Sequence, residues 1–287
     1  MARFLVFISF TTQMSSPKIL DFNLLKNYLF QVIMNKPAYL DEPIFCFTSD
    51  VDWASEDALQ IQQDIYDRYG IQTTYFVTHK SPLLERWHKE GKIQLGIHPN
   101  FLPGSSHGNT IDEVLDTVMK FAPRARCFRS HRCFDVAPVT DALVKRGLLY
   151  DSNLITNLQQ GISPLKHESG LIRFPCFYED GIHFKWRRSW DFREFEKIFN
   201  QPGLKIISHH PMITAMNVTT AEKWGILKTK FPPGVWIKMS KEQLLENACR
   251  EPGPKNFLED MIKFVLENKF SIMSMEELYQ NFGKTII

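Results

Sequence analysis

Several features of other protein classes are missing from this sequence. No stretch approaches the roughly 20 apolar residues that span a bilayer, so we expect no transmembrane segment. No two cysteines have C-x-x-C spacing, and there is no G-x-G-x-x-G or Walker phosphate loop. The 34 Lys and Arg residues balance 32 Asp and Glu residues and are scattered, so we expect no nucleic-acid partner.

Cysteine is scarce, with five in 287 residues, and four of the five lie in or beside apolar, strand-like runs. We interpret them as reduced core residues, which suits a cytoplasmic protein. Zinc–thiolate and disulfide roles stay open as alternatives. The cysteines are Cys46, Cys127, Cys133, Cys176 and Cys249.

The N-terminus, MARFLVFISFTTQMSS, superficially resembles a short signal sequence. Only one Arg precedes its short apolar run and no A-x-A-like cleavage site follows, so we interpret it as an appended start rather than an export signal. Leucines and aromatics at helical spacing predict a helix over residues 18–40. We therefore divide the chain into an N-terminal extension, residues 1–40, and a main domain, residues 41–287.

From residue 44 onward, strand-like and helix-like segments alternate in about seven units of roughly 30 residues, which is typical of a (β/α) barrel. A doubly wound open sheet is the alternative, although the missing phosphate loops disfavour it. Predicted strands cover residues 44–48, 73–78, 93–97, 126–129, 170–177, 204–208 and 270–273. Predicted helices cover residues 55–69, 82–90, 111–121, 137–146, 192–199 and 255–267.

Residues 215–254 break this alternation with two Pro/Gly turns, and we predict a long insertion beside the functional site. Trp224 in this insertion, together with Trp186 and Trp190, could line a groove for a sugar. Packing in the core is the other role open to these tryptophans.

The segment PIFCFTSDVDW, residues 43–53, carries the first candidate site. A buried apolar strand ends here on two carboxylates, Asp50 and Asp52. In α/β proteins, ligands and catalytic groups gather at the C-terminal ends of parallel strands. Capping of the next helix would explain one aspartate but not both.

Histidines follow two other predicted strands. His98 ends the third strand, and His107 lies in the Pro/Gly-rich loop after it. With Asp52 they form an Asp/His/His set suited to Zn²⁺ or a similar divalent metal. The pair His209 and His210 ends the strand at 204–208, and we favour His210 as a general acid for a leaving amine.

Charged residues end the strands between these histidines. Arg129 could keep the Asp50 carboxylate ionised and oriented. Asp180 could orient a catalytic histidine, and Glu179 could do the same, since the sequence does not separate the two.

In chain order, therefore, five strand ends carry an Asp-x-Asp, a His-containing loop, an Arg, an acidic turn and a His-Pro. This order resembles the polysaccharide deacetylase superfamily, also called NodB-homology or carbohydrate esterase family-four proteins. More specifically, it resembles a divergent branch associated with bacterial surface-polysaccharide biosynthesis. The resemblance spans roughly residues 44–278, and residues 137–153 are similar to the family's helix that leads to a Tyr-Asp-Ser strand.

The resemblance implies an α/β fold, a distorted (β/α) barrel of seven or eight strands. It implies that Asp50 is the general base, Asp52 and His98 are metal ligands, Arg129 braces the base and His210 is the general acid.

The chain departs from the family pattern at two points. The usual His-x-x-x-His is absent, because Leu102 stands four residues after His98; His107 is the next histidine, and His131 or His209 could equally be the third ligand. Arg-x-Pro-Tyr is replaced by residues 129–132, RSHR, which leaves the oxyanion donor open.

These observations predict a metal-dependent hydrolase that removes an acyl group, N-acetyl first, from an amino sugar of a saccharide or glycolipid precursor. A deformylase or other amidase with the same site chemistry is one alternative. A catalytically silent carbohydrate-binding member of the family is the other.

Overall fold

The structure of the protein is a computed structural model that describes residues 37–283. Most of the helix predicted over residues 18–40 lies outside the described residues. Within them this segment contributes one 3₁₀ turn, Ala38–Leu40. The boundary between extension and main domain at residue 40 therefore stays a prediction.

Within residues 37–283 the chain forms ten strands, and most are short. Every residue of the eight-residue first strand is buried, as expected for a central strand of a parallel sheet. The strands are β1 (Pro43–Asp50), β2 (Thr73–Val77), β3 (Ile93–Ile97), β4 (Cys127–Phe128), β5 (Tyr150–Asp151), β6 (Leu165–Lys166), β7 (Ile172–Arg173), β8 (Cys176–Glu179), β9 (Gly203–His209) and β10 (Ser271–Ile272).

The strands form one curled sheet in the order β6-β7-β5-β4-β3-β2-β1-β9-β8, and β10 pairs with the first half of β1. The described pairs are parallel except β6 with β7. Cys176 N donates to Leu154 O at 2.7 Å and Thr156 N donates to Cys176 O at 2.9 Å, so the segment after β5 meets β8. The result is a distorted barrel, which confirms the predicted fold class.

Helices follow most of the strands. The first begins where Ser55 Oγ accepts a hydrogen bond from Ala58 N and ends at Gly70, whose φ of 66° suits glycine. The helices are α1 (Glu56–Tyr69), α2 (Pro82–Lys89), α3 (Ile111–Val118), α4 (Ala137–Lys145), α5 (Asp180–Lys185), α6 (Glu196–Phe199), α7 (Pro211–Ala215), α8 (Ala221–Lys230), α9 (Pro233–Trp236), α10 (Lys241–Glu246), α11 (Pro254–Glu267) and α12 (Met275–Leu278).

The predicted insertion over residues 215–254 is largely helical, since it contains α8, α9 and α10. Side chains from α8 and α9, with Phe231 between them, line a pocket next to Asp52, so the insertion lies beside the candidate site as predicted. Over residues 37–283, no helix combines the length and apolar character needed to cross a membrane.

The observed strands differ from the predicted strands in two respects. The single strand predicted over 170–177 is two strands, β7 and β8, and β6 was not predicted. The hydrophobic pattern did not predict β5 either, but β5 lies where the resemblance implied a Tyr-Asp-Ser strand. The five cysteines are free thiols in the structure; Cys46, Cys127 and Cys176 are buried as core residues, whereas Cys133 and Cys249 are half-buried.

Candidate active site

The register of the sheet brings the predicted residues to one edge of the barrel. Ser49 pairs with His209, so His210 lies level with Asp50. Ile97 pairs with Phe128, so His98 and Arg129 lie level at the ends of β3 and β4. This edge is the C-terminal edge of the parallel strands, where sites of α/β proteins are expected.

A tight turn after β1 directs the second aspartate into the site. Ala54 N donates to Val51 O at 2.8 Å, and the two residues between them, Asp52 and Trp53, have φ of 44° and 56°. Left-handed backbone at both central positions is typical of a type I′ turn, and aspartate tolerates it better than most residues. Trp53 N donates to Thr78 Oγ1 at 2.9 Å, which ties the turn to the end of β2.

Two histidine nitrogens converge on Asp52. Its Oδ1 lies 3.2 Å from His98 Nε2 and 2.9 Å from His131 Nδ1. Burial alone would raise the pKa of Asp52, but the hydrogen bonds from His131 and His98 hold that pKa well below its ordinary value. One donor atom from each residue lies within 4.8 Å of the others.

The chemistry of this donor set fits a divalent metal ion. Two imidazole nitrogens and one carboxylate oxygen match three-ligand zinc sites that keep a further position open for water or substrate. His98 is 2% exposed, and its Nδ1 has no hydrogen-bond partner in the described chain; it lies 4.0 Å from Asp50 Oδ1.

The structure does not bring His107 into this set. Its Nε2 bonds to Thr78 O at 2.7 Å, and its Nδ1 accepts from Asn100 N at 3.1 Å. Because protein partners occupy both ring nitrogens, His107 fastens its loop to the end of β2. His131, one of the two open alternatives, lies beside Asp52 instead.

The other alternative, His209, points into the protein interior. It is fully buried, its Nδ1 lies 3.5 Å from Asp180 Oδ2, and its ring packs 5.4 Å from that of Tyr178. Neither group of potential metal donors found among the described residues includes it.

The first aspartate is held by a buried arginine. Arg129 is 1% exposed, and its Nη1 donates to Asp50 Oδ1 at 2.8 Å and to Ser208 Oγ at 2.9 Å. Its Nε and Nη2 bond to Ser152, at 2.8 and 2.7 Å. Burial disfavours the charged guanidinium, yet the Asp50 carboxylate keeps the pKa of Arg129 above its ordinary value. The contact between Asp50 and Arg129 is thus a buried, oriented ion pair.

Asp180 orients His210 through two contacts. His210 N donates to Asp180 Oδ2 at 2.8 Å, and His210 Nδ1 lies 2.6 Å from Asp180 Oδ1. The other ring nitrogen, Nε2, lies 3.8 Å from Asp52 Oδ2. Burial would lower the pKa of His210, but Asp180 and then Glu179 raise that pKa well above its usual value. The raised pKa favours the protonated imidazole, whose Nε2 faces the Asp52 cluster.

The structure distinguishes the roles of Glu179 and Asp180, which the sequence left equivalent. Glu179 caps α5 by accepting hydrogen bonds from Gly181 N at 3.0 Å and Ile182 N at 2.6 Å. It also lies 3.3 Å from His210 Nδ1, and burial raises its pKa to about 7. Asp180 is therefore the main partner of His210, and Glu179 is a second acid beside it.

The cluster opens into a groove with one aromatic and one polar side. Trp224, one of the three predicted sugar-facing tryptophans, lines it, whereas Trp186 and Trp190 are not among the residues that line it. Trp190 stacks on His183 with centroids 4.1 Å apart. The other aromatic lining residues are Trp53, Phe184, Phe231 and Trp236, and the basic ones are His98, His131, Arg132, Lys185, His210 and Lys228.

Sequence reasoning assigned no role to Trp53 or Trp236, and it left His131 as one of several alternatives. Trp53 directly follows the Asp-x-Asp and could have been noticed for that reason. Trp236 packs on Trp224 with ring centroids 5.1 Å apart, a contact between α8 and α9 for which the sequence offers no direct sign.

The fold that carries this site is similar to those of solved structures. WbmS of Bordetella bronchiseptica, described as a polysaccharide deacetylase involved in O-antigen biosynthesis, superimposes with a TM-score of 0.68 at 26% identity. The match covers 80% of this chain and 93% of that chain. A family 4 carbohydrate esterase from Bacillus anthracis matches with a TM-score of 0.43 at 14% identity over 96% of this chain and 100% of its own, a likeness too low to carry an inference.

The family assignment follows from the sequence match. No curated protein matches the chain. The model of the WbmS-like polysaccharide deacetylases matches residues 47–228, which begin within β1 and end in α8. This span covers most of the chain and includes the Asp-x-Asp turn, the histidine cluster and the His210–Asp180 pair. The chain belongs to the WbmS-like polysaccharide deacetylase family.

Proposed function

We propose that the protein is a metal-dependent hydrolase that removes an acyl group, N-acetyl first, from an amino sugar of a bacterial surface-polysaccharide precursor. One observation carries the proposal. Three chemically distinct groups lie together at one edge of the barrel: the Asp50 carboxylate held by Arg129, the three-donor cluster around Asp52, and His210 with its raised pKa. Amide hydrolysis needs a base, an electrophilic centre and an acid for the leaving amine.

We assign the metal ligands as Asp52, His98 and His131, and we place His131 where the sequence suggested His107. When bound there, a divalent ion such as Zn²⁺ would polarise the amide carbonyl and lower the pKa of a water molecule.

Asp50 would act as the general base. Its Oδ1 is held by Arg129 at 2.8 Å, and its other carboxylate oxygen accepts no hydrogen bond within residues 37–283. That second oxygen is available to take a proton from water. The Arg129 contact fixes the orientation of the carboxylate, so little reorganisation is needed when the proton is transferred.

His210 would protonate the departing amine. Its Nδ1 is committed to Asp180, so the transferable proton resides on Nε2, which faces the Asp52 cluster. The leaving amine would then depart as a neutral molecule rather than as an unstable amide anion.

For the oxyanion donor, left open by the sequence, we propose the backbone N–H of Arg132. Arg132 has φ of 57° and lines the groove, and its N–H donates no hydrogen bond within the described chain. A backbone donor held by a 3₁₀ turn, His131–Cys133, could stabilise the developing oxyanion without first giving up another partner.

We further propose that the substrate is a cytoplasmic saccharide or glycolipid precursor. The five free cysteines are consistent with a reducing compartment, and the groove offers Trp53, Trp224 and Trp236 as stacking surfaces for sugar rings.

The proposal predicts acyl release that depends on metal. Purified protein, first treated with a chelator and then reloaded with Zn²⁺, is incubated with N-acetylated and N-formylated amino sugars, both free and nucleotide-linked, and with chitooligosaccharides. Acetate and formate are quantified. We expect acetate release by the reloaded protein and near-background release by the chelated protein. Formate alone would make the enzyme a deformylase.

Release of neither acid from any sugar by metal-loaded protein, with sugar binding still measurable, would contradict hydrolysis. That result would favour the catalytically silent binding protein. A control with the chelated protein reloaded with Mg²⁺ tests the preference for zinc that the two imidazole donors imply.

A further inference from the structure

Positive charge is concentrated in two segments that flank the mouth of the groove. Residues 182–190 and 221–241 together contain eight Lys and Arg residues and one acid, Glu222, although the whole chain has a formal net charge of only +2. The rest of the chain is therefore net acidic. Arg187 Nη2 donates to Glu222 Oε1 at 3.0 Å, so the two segments are adjacent in space.

The same segments carry the two most exposed large apolar side chains of the described chain. Trp186 is 64% exposed and Ile226 is 62% exposed, and neither is among the residues that line the groove. A single exposed apolar side chain is ordinary on a protein surface, but these two lie in the two segments where positive charge is concentrated.

Basic residues neighbour both apolar side chains. The Arg188 guanidinium carbon lies 6.0 Å from the ring centroid of Trp186. Lys223 and Lys230 stand three residues before and four residues after Ile226, so both neighbour it on the surface of α8. Glu222, four residues before Ile226, is paired with Arg187. We call the surface formed by Trp186, Arg188, Lys223, Ile226 and Lys230 the basic apolar face.

We propose that the basic apolar face binds the surface of an anionic lipid bilayer. Tryptophan favours the interface between headgroups and acyl chains, and an aliphatic residue flanked by lysines can enter the same layer. Lysine and arginine are attracted to anionic headgroups. Protein–protein interfaces are depleted in lysine, so the four lysines of residues 221–238 favour a lipid over a protein partner.

Docking through this face would turn the groove toward the lipid headgroups, because Lys185 and Lys228 of the same two segments line the groove. If the proposed function holds, a saccharide carried on a membrane lipid could then reach Asp50 without leaving the membrane surface. Binding to the bilayer itself does not depend on catalysis.

The test is co-sedimentation of the full chain with large unilamellar vesicles. We expect binding to vesicles made of phosphatidylglycerol and phosphatidylethanolamine, and weak binding to phosphatidylcholine vesicles. Raising the sodium chloride concentration should release the protein from the phosphatidylglycerol-containing vesicles. The double variant Trp186→Ser/Ile226→Ser should lower the partition coefficient at least about tenfold. Leu165→Ser is the matched control, since Leu165 is 44% exposed and lies outside both segments.

Thermal melts of each variant confirm that it is folded. The salt titration uses the wild type alone, so its outcome does not depend on whether a variant folds. Absence of wild-type binding to phosphatidylglycerol vesicles at low salt overturns the proposal. Equal binding by the wild type and the folded double variant also overturns it, as does self-association through this face without lipid binding. None of these outcomes measures acyl release, so failure here is distinct from failure of the proposed function.

Discussion

Asp50→Asn is expected to lower kcat for amide hydrolysis about a thousandfold, because the amide oxygen cannot accept a proton as the carboxylate does. The variant should keep its metal, since Asp50 is not among the three donors that surround the proposed site. Arg129 Nη1 can still donate to an asparagine oxygen, so the local geometry should survive. Steady-state kinetics on the substrate that emerges from the acyl-release screen, with elemental analysis of the same sample, measures both effects.

Asp64→Asn is the matched control for this substitution. Asp64 is exposed on α1 and accepts a hydrogen bond from Gln60, so the same chemical change there should leave kcat and metal content unchanged. Loss of metal in Asp50→Asn would show that the roles of Asp50 and Asp52 are exchanged. Full activity in Asp50→Asn would remove the general base from the mechanism.

A second large effect is expected at the third metal ligand. His131→Ala should weaken zinc binding at least about a hundredfold, since it removes one of three protein donors. His107→Ala should leave zinc affinity within about threefold of wild type, because its ring nitrogens bond to Thr78 O and Asn100 N rather than to the cluster. Competition with a chromophoric chelator measures the affinities.

The order of the two histidine variants should reverse for stability: the metal-free His107→Ala protein should be less stable than the metal-free His131→Ala protein. His107→Ala leaves the buried Thr78 O without its partner, which should cost about 1–3 kcal/mol in the free energy of unfolding of the metal-free protein. His131 is only partly buried, and its loss should cost the metal-free protein less. Weakened zinc binding in His107→Ala and normal binding in His131→Ala would reverse the assignment.

Much of the fold was predictable because hydrophobic runs of central parallel strands are distinctive. The run at 44–48 lies within β1, and the prediction at 93–97 coincides with β3. These strands are long enough for their apolar residues to stand out from the flanking turns. The resemblance to polysaccharide deacetylases, based on the order of strand-end motifs, is confirmed by the family match.

The short strands were harder to predict for a physical reason. β5 and β6 have two residues each, too few to show a period of two. The run at 170–177 contains Pro175, which lacks an N–H and separates β7 from β8. A local pattern cannot show that such a run ends one strand and begins another.

Distance along the chain explains why His107 was favoured over His131. His107 follows His98 by nine residues, so a ligand loop looked plausible. Neighbours in a sheet, however, are set by strand pairing. β3 pairs with β4, and His131 N donates to Pro99 O at 2.8 Å, which brings His131 beside His98 across 33 residues of chain. Strand-end partners are therefore better predictors of this cluster than loop neighbours.

The central claim is that Asp52, His98 and His131 form the metal centre of the protein, and anomalous diffraction at the zinc absorption edge tests it most directly. Crystals grown with Zn²⁺ should show the strongest peak in contact with these three side chains. The described chain contains one other group of potential donors, Glu179, Asp180 and His210. The strongest peak at that second group, or no peak at either, would contradict the assignment of the metal centre.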